Sequence, residues 1–264
     1  MFYSTKSAVI VGITPLLVTV EVDINTRAVK RDINIVGLPD VAVKESKQRI
    51  ISALKNSNIS LPNGMITINL APGDVKKEGT FLDLAIALGI LGASGTIPKF
   101  DGIIIGELGL DGAVRKVRGV LPILLEFQDK NTIFIIPQEN LHEASATKSN
   151  FILASSLSQI VTNLKDGKYE PYQTKNEIIT HIEHQIEEDF SDIKGHILAK
   201  RAFEVAAAGG HNLLMVGPPG TGKTMFARRF PTILPPMDEK EIIETSKIYS
   251  AVGLLNSSLI TKRP

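Results

Sequence analysis

Eight consecutive residues, Gly217-Pro218-Pro219-Gly220-Thr221-Gly222-Lys223-Thr224, have the types and the spacing to cradle phosphate groups. They satisfy the pattern G-x-x-x-x-G-K-[ST] in full. Glycines let a loop wrap an anion with its backbone N–H groups turned inward, because no Cβ obstructs the approach. A helix starting after Gly222 would add unpaired amides and the positive end of its dipole. Lys223 is placed to neutralise charge on the β- and γ-phosphates, and the Thr224 hydroxyl to ligate a metal. The cofactors implied are ATP, or its product ADP, with Mg²⁺. The surroundings agree with this reading. The apolar run NLLMVG reads as a short strand leading into the loop, and the residues from Lys223 suit a helix.

Hydrolysis asks for more than a cradle. A second acidic residue at the end of an apolar strand normally shares the metal, and another residue orients the attacking water. After Thr224 the acids are Asp238, Glu239, Glu241 and Glu244, within MDEKEIIE, which reads as a loop and a helix start. None closes an apolar strand, so no catalytic residue is assigned. Two basic pairs, Arg228-Arg229 after the loop and Lys76-Lys77 before Gly79, have the charge to face phosphates. A solvated face is the simpler reading of each. His181 and His184 stand i, i+3 apart on a helical pattern, where a polar face accounts for them better than a metal.

The elements that must position these residues follow from periodicity. From Ser7 to Asp23, β-branched residues with Gly12 and Pro15 among them predict two strands or one bent strand. RDINIVGLPD predicts a third, followed by a helix with Val43, Ile50, Ile51 and Leu54 on one face and Asp40 as its N-cap. GMITINLAP alternates as a strand does. Gly79 opens an apolar helix, Phe81–Leu91, with Thr80 and Asp83 as a capping-type pair. GIIIGELGLDGAV predicts two strands turning at Asp111-Gly112, followed by a helix over Val120–Phe127. Strand TIFIIP, a helix from Gln138, strand NFILAS and helix SLSQIVTNLKDG complete this alternation. The polar stretch KYEPYQTKNEIITHIEHQIEEDF reads as a linker, partly helical from Asn176 to Glu187. HILAKRAFEVAAAGG then predicts a helix stopped at Gly209-Gly210.

Composition narrows the classes. With 43% apolar and 22% charged residues the chain has the make-up of a globular protein. Its 29 basic and 28 acidic residues leave a net charge of +1, so whole-chain charge makes no case for nucleic acid or membrane. The absence of cysteine excludes disulfides, thiolate catalysis and Cys-ligated zinc. SAVIVGITPLLVTVEV carries Pro15, Glu21 and the strand residues Val, Ile and Thr. FLDLAIALGILGASG contains Asp83 and falls short of the ~20 apolar residues of a spanning helix. Both predict buried core, no membrane partner and a cytoplasmic location.

On GGHNLLMVGPPGTGKTMFARRFPTILPP, NIVGLPDVAVKESKQRI, LPNGMITINLAPGDVKKEG and DLAIALGIL, the chain resembles the magnesium-chelatase-like AAA+ ATPases, in the ComM/YifB subfamily. The resemblance covers nearly the whole chain and implies an α/β fold. An N-terminal ribosomal S5 domain 2-like (Lon-protease-like) α+β domain would occupy 1–168, a linker 169–188, and the incomplete start of a P-loop AAA+ domain 189–264. It further implies, for a full-length protein, a homohexameric ATP-driven motor acting on DNA, in branch migration and recombination during natural transformation. The Walker B strand and arginine finger of such proteins would lie beyond this sequence, so the chain by itself is expected to bind ATP without turning it over. A nucleotide-binding or protein-interaction module without turnover is the alternative. GELGLDGAVRKVRG is similar to a strand pair of Lon and RadA, but Phe81 stands where the Lon serine would be and Leu121 near its lysine. Without that pair, peptidase chemistry is not expected.

Overall fold

The computed structural model describes residues 1–28, 32–173, 188–255 and 259–263. The chain divides into two compact units: Met1–Ile178 together with Ser246–Ser258, and Ile179–Thr245 together with Leu259–Pro264. The predicted helix from Asn176 to Glu187 and the His181/His184 pair lie outside the described residues.

The first unit is mixed α/β. Its strands are β1 (Phe2–Val11), β2 (Thr14–Asn25), β3 (Asp32–Val36), β4 (Met65–Ala71), β5 (Ile103–Ile104), β6 (Glu107–Leu108), β7 (Val114–Arg115), β8 (Ile133–Pro137), β9 (Asn150–Ala154) and β10 (Tyr172–Gln173). Eight form one sheet in the order β10-β9-β8-β5-β1-β2-β4-β3, while β6 and β7 make a separate antiparallel hairpin around Asp111-Gly112. The antiparallel pairs are β1–β2, β2–β4 and β9–β10. The parallel pairs are β3–β4, β1–β5, β5–β8 and β8–β9. The Ser7–Asp23 region is thus a hairpin, not a bent strand, and Gly12 turns it at φ +65°. Register is fixed by burial: Val18, Val20, Val22 and Ile24 alternate along β2 with less buried neighbours, so a one-residue slip would turn the whole apolar set outward.

Helices cover this sheet. Asp40 caps α1 (Val41–Asn56) by accepting from the Val43 N–H at 2.7 Å, as its position predicts. The apolar helix is α2, Asp83–Ala93, two residues later than expected, and it is buried almost all round. Leu84, Ile86, Leu88, Ile90 and Leu91 are all core, each worth about 1.5–3 kcal/mol of burial. A Cβ on Gly92 would stand 2.5 Å from the Tyr3 ring, so a larger residue there would force that ring to shift. Then come α3 (Val120–Phe127), α4 (Leu141–Ser145), preceded by a 3₁₀ turn over Gln138–Asn140 in place of one continuous helix, and α5 (Leu157–Asp166). Ser156 caps α5, and Gly167 ends it in the left-handed region.

The expected Thr80–Asp83 cap does not form. The Thr80 hydroxyl donates to Glu107 at 2.5 Å, and Asp83 turns to a bidentate pair with Arg49, at 2.6 and 3.0 Å. Asp83 is 1% exposed; burial pushes its carboxyl up, opposed by Arg49 and by the Leu108 N–H. A buried carboxylate with a guanidinium within reach satisfies that partner before a helix end. Lys77 also departs from expectation. Lys76 is exposed and pairs with Glu78, but Lys77 is fully buried, with its ammonium on the Pro72 carbonyl. Phe81 and Leu121 are both core residues.

The second unit holds a 3₁₀ turn over Phe190–Asp192, α6 (Ile197–Gly209), α7 (Lys223–Arg229), a second 3₁₀ turn over Phe230–Ile233 and the start of α8 (Glu239–Ala251), whose residues from Ser246 belong to the first unit. Its core is aromatic. Phe203 and Phe226 stack at 4.9 Å between ring centres, with Phe190 at 5.9 Å from each. NLLMVG is not a strand here: residues 212–217 carry no strand assignment, and Leu214 and Val216 are each 89% exposed. A strand is held by its ladder and by burial of its side chains, and no strand stands among the described residues of this unit to supply either.

Candidate phosphate-binding site

The glycine-rich loop closes around its own lysine. Lys223 is the first residue of α7, and its ammonium donates to the carbonyls of Gly217 at 2.8 Å and Pro218 at 2.6 Å, with Thr221 Oγ1 at 3.4 Å. Thr221 Oγ1 in turn donates to the Pro218 carbonyl at 2.9 Å. The turn is made by Gly220 at φ +81° and Gly222 at φ +82°, both with open space where a Cβ would stand. Glycine is needed at those two positions for the backbone angle and not for room. Gly222 is the N-cap of α7, and its carbonyl accepts from the Phe226 N–H at 3.0 Å, closing the first helical turn. The amides of Lys223, Thr224 and Met225 precede that bond and have no intrahelical acceptor.

The structure therefore brings Gly217, Pro218, Pro219, Gly220, Thr221, Gly222 and Lys223 into one curl, with Thr224 exposed on the helix immediately after it. Phe226 anchors this helix in the aromatic core. The two arginines at its far end part ways: Arg228 is exposed, while Arg229 pairs with Asp192 and Glu188. The downstream acids serve local structure. Asp238 and Glu241 exchange reciprocal bonds, with N–H donors at 3.0 and 2.8 Å, in the manner of a capping box. Both carboxylate oxygens of Glu241 also accept from Arg263 Nη2, at 2.9 and 2.8 Å, and Glu239 and Glu244 are exposed.

Elsewhere, a cleft of about 540 Å³ in the first unit is lined by Lys6, Asp101, Glu126 and Asp129 among others and includes none of the loop residues. Among the described residues there is no group of three or more His, Asp or Glu arranged to hold a metal, and no helix long and apolar enough to cross a membrane. Sequence reasoning missed the buried polar residues Asn140, Glu143 and Ser250. Each sits in a segment whose apolar periodicity is unremarkable, so the pattern offered no signal for them.

Residues 20–140 match the family described as subunit ChlI of Mg-chelatase, and residues 189–264 match magnesium chelatase, subunit ChlI. The chain is 41% identical over 249 residues to competence protein ComM of Haemophilus influenzae, covering 91% of this chain and 48% of that protein. It is 38% identical over 252 residues to the uncharacterized protein YifB of Escherichia coli, covering 94% of this chain and 49% of the relative. An uncharacterized protein of Mycobacterium tuberculosis is 35% identical over 270 residues, covering 98% of this chain and 52% of its own length. The chain spans about half the length of the curated relatives it matches.

Proposed function

The chain belongs to the magnesium-chelatase-like ComM/YifB family, and on that premise we propose that Gly217–Thr224 binds the phosphates of ATP or ADP with Mg²⁺. The observation that carries the reading is the Lys223 ammonium set inside the curl of its own loop, on the carbonyls of Gly217 and Pro218. Phosphate oxygens are stronger acceptors than those neutral carbonyls, so an arriving nucleotide would draw the ammonium onto itself. Gly220 and Gly222 supply the left-handed backbone turns that form the curl, and the first-turn amides add donors. Thr224 is the residue that would hold Mg²⁺, whose chemistry in such sites is neutralisation of charge between phosphates.

For a protein of the relatives' full length, the proposed activity is that of an ATP-driven hexameric motor acting on DNA. The first unit is proposed to be an S5 domain 2-like, Lon-like domain without peptidase activity. Its mixed sheet and the core positions of Phe81 and Leu121 support that. Cytoplasmic residence goes with the same reading.

Calorimetry with MgATP tests the loop. Lys223→Ala removes one charge-assisted contact, a loss of about 1.5–3 kcal/mol, or about 10- to 150-fold in affinity. Equal affinity of wild type and Lys223→Ala would end the case for this loop as a nucleotide site.

A further inference from the structure

Helix α7 carries Lys223 at one end and Arg229 at the other, and it is seven residues long. A helix that short is not held by its own hydrogen bonds, so its direction is set by whatever grips it. The grip comes from the turn Phe190–Asp192. Arg229 Nε donates to Asp192 Oδ2 at 3.1 Å, and Arg229 Nη1 lies 3.7 Å from Glu188 Oε2. Thr232 Oγ1 donates to the Arg229 carbonyl at 2.8 Å and accepts from the Phe190 N–H at 3.1 Å. Midway along the helix, Phe226 packs on Phe190 and Phe203. One turn therefore holds both the middle and the far end of α7.

The turn is itself well fixed. Asp192 Oδ2 also accepts from the Asp189 N–H at 3.0 Å, and Asp189 Oδ1 accepts from the Ser191 N–H at 2.8 Å. The Asp189 amide first, and Arg229 after it, hold the Asp192 carboxyl below its ordinary range. The Arg229 side chain is 15% exposed with both its carboxylates in place, whereas Arg228 beside it is exposed. A guanidinium committed in this way is not available to phosphate. What it can do is aim the helix.

We infer that Arg229 is a positioning residue for the phosphate-binding loop: through Asp192 and Glu188 it locks α7 to the Phe190–Asp192 turn and so directs Lys223 toward the phosphates. The inference rests on the reading of Gly217–Thr224 as a nucleotide site. It differs from a merely structural role in one respect. Lys223 meets the outer phosphates, so loosening its aim should weaken binding of nucleotides that carry them and spare one that does not.

The test titrates the 264-residue chain with fluorescent analogues of ATP, ADP and AMP, with Mg²⁺ present. Arg229→Met is expected to lower affinity for the ATP and ADP analogues by about two- to fivefold, the range of a partly exposed ion pair, and to leave AMP unchanged. Arg229→Lys, which can still reach a carboxylate, should recover most of the loss. Lys223→Ala runs in parallel. If Lys223→Ala loses affinity while Arg229→Met binds ATP as wild type does, the positioning role alone is overturned. If Arg229→Met weakens all three analogues alike, with a matching fall in melting temperature, the residue is structural and the inference is also overturned. If wild type and Lys223→Ala bind equally, the site reading fails first, and the positioning role falls with it.

Discussion

The Ser250 hydroxyl donates to Glu143 Oε2 at 2.5 Å, across 107 positions of the chain, and both side chains are buried. Glu143 is satisfied there by neutral donors. The Leu121 N–H reaches the same oxygen at 3.1 Å, and Asn140 Nδ2 reaches Oε1 at 2.9 Å. Asn140 is itself held both ways on Val117, accepting from its N–H at 3.0 Å and donating to its carbonyl at 2.8 Å. The Ser250 carbonyl accepts from the Gly119 N–H at 2.8 Å, and the Leu255 carbonyl from Lys116 at 3.3 Å. Residues that follow the glycine-rich loop in sequence thereby complete the first unit. Ser250→Ala should cost about 1–3 kcal/mol, the penalty of leaving a buried polar group without its partner. Hydrogen exchange should quicken over residues 246–255 before the rest of the first unit. An unchanged melting temperature and exchange pattern would show that the bond holds nothing.

Gly37 offers a sharper steric test. Its φ is +95°, and a Cβ built on it would stand 2.2 Å from the Leu70 carbonyl oxygen, a backbone atom of β4 that cannot swing aside. Gly37→Ala therefore meets both a disfavoured backbone region and a collision. A loss of about 2 kcal/mol or more in chemical denaturation is expected. A loss under about 0.5 kcal/mol would mean that β3 and β4 do not approach as described.

Lys77 gives a pH prediction. Burial pushes its ammonium pKa down, with Asp74 opposing the shift. The folded chain therefore releases this proton at a lower pH than the unfolded chain does, whose lysines titrate near about 10.4. Between the two values the unfolded state binds more protons, so stability rises with pH across that window. Below it, both states are protonated and the penalty of the buried charge is constant. Lys77→Met removes the titration. The gap between variant and wild-type melting temperatures should narrow or change sign as pH rises from 7 toward 10, in favour of wild type. Parallel curves over that range would remove Lys77 from the account.

Much of this architecture could be read from periodicity and turn chemistry because each signal was local. Asp40 three residues before Val43 is a cap in sequence and in space, and Val120–Phe127 is a helix at both levels. The glycine-rich loop was legible for the same reason: its glycines, its lysine and the helix start lie within eight residues. What failed depended on partners remote in sequence. Asp83 leaves its cap for Arg49, 34 positions away. NLLMVG has a strand's composition, yet Leu214 and Val216 are exposed because no neighbouring strand stands beside them among the described residues of that unit. The return of Ser246–Ser258 to the first unit, and the buried carboxylate that receives it, left no periodic trace at all.

That return bears on where the chain can be cut and what a cut would release. We propose residues 169–188 as the linker, on their polar and charged composition. Limited trypsin digestion should then cleave first between Lys168 and Asp189 and leave the N-terminal product folded. Two domains joined only by such a linker would separate once it is cut. Here the C-terminal product still carries Ser250, Ala251 and Leu255, which are 1%, 5% and 3% exposed within the first unit. Burying Leu255 is worth about 1.5–3 kcal/mol, and the Ser250–Glu143 bond adds a comparable amount. Association without the covalent tie must also overcome the loss of translational and rotational freedom, at least about 4 kcal/mol. The nicked products should therefore co-elute in native gel filtration at high protein concentration and part on dilution or in mild urea. Introducing Ser250→Ala should shift that parting to a higher protein concentration. Products that separate at every concentration, or an N-terminal product degraded before the rest, would contradict both the linker and the role given to Ser246–Ser258.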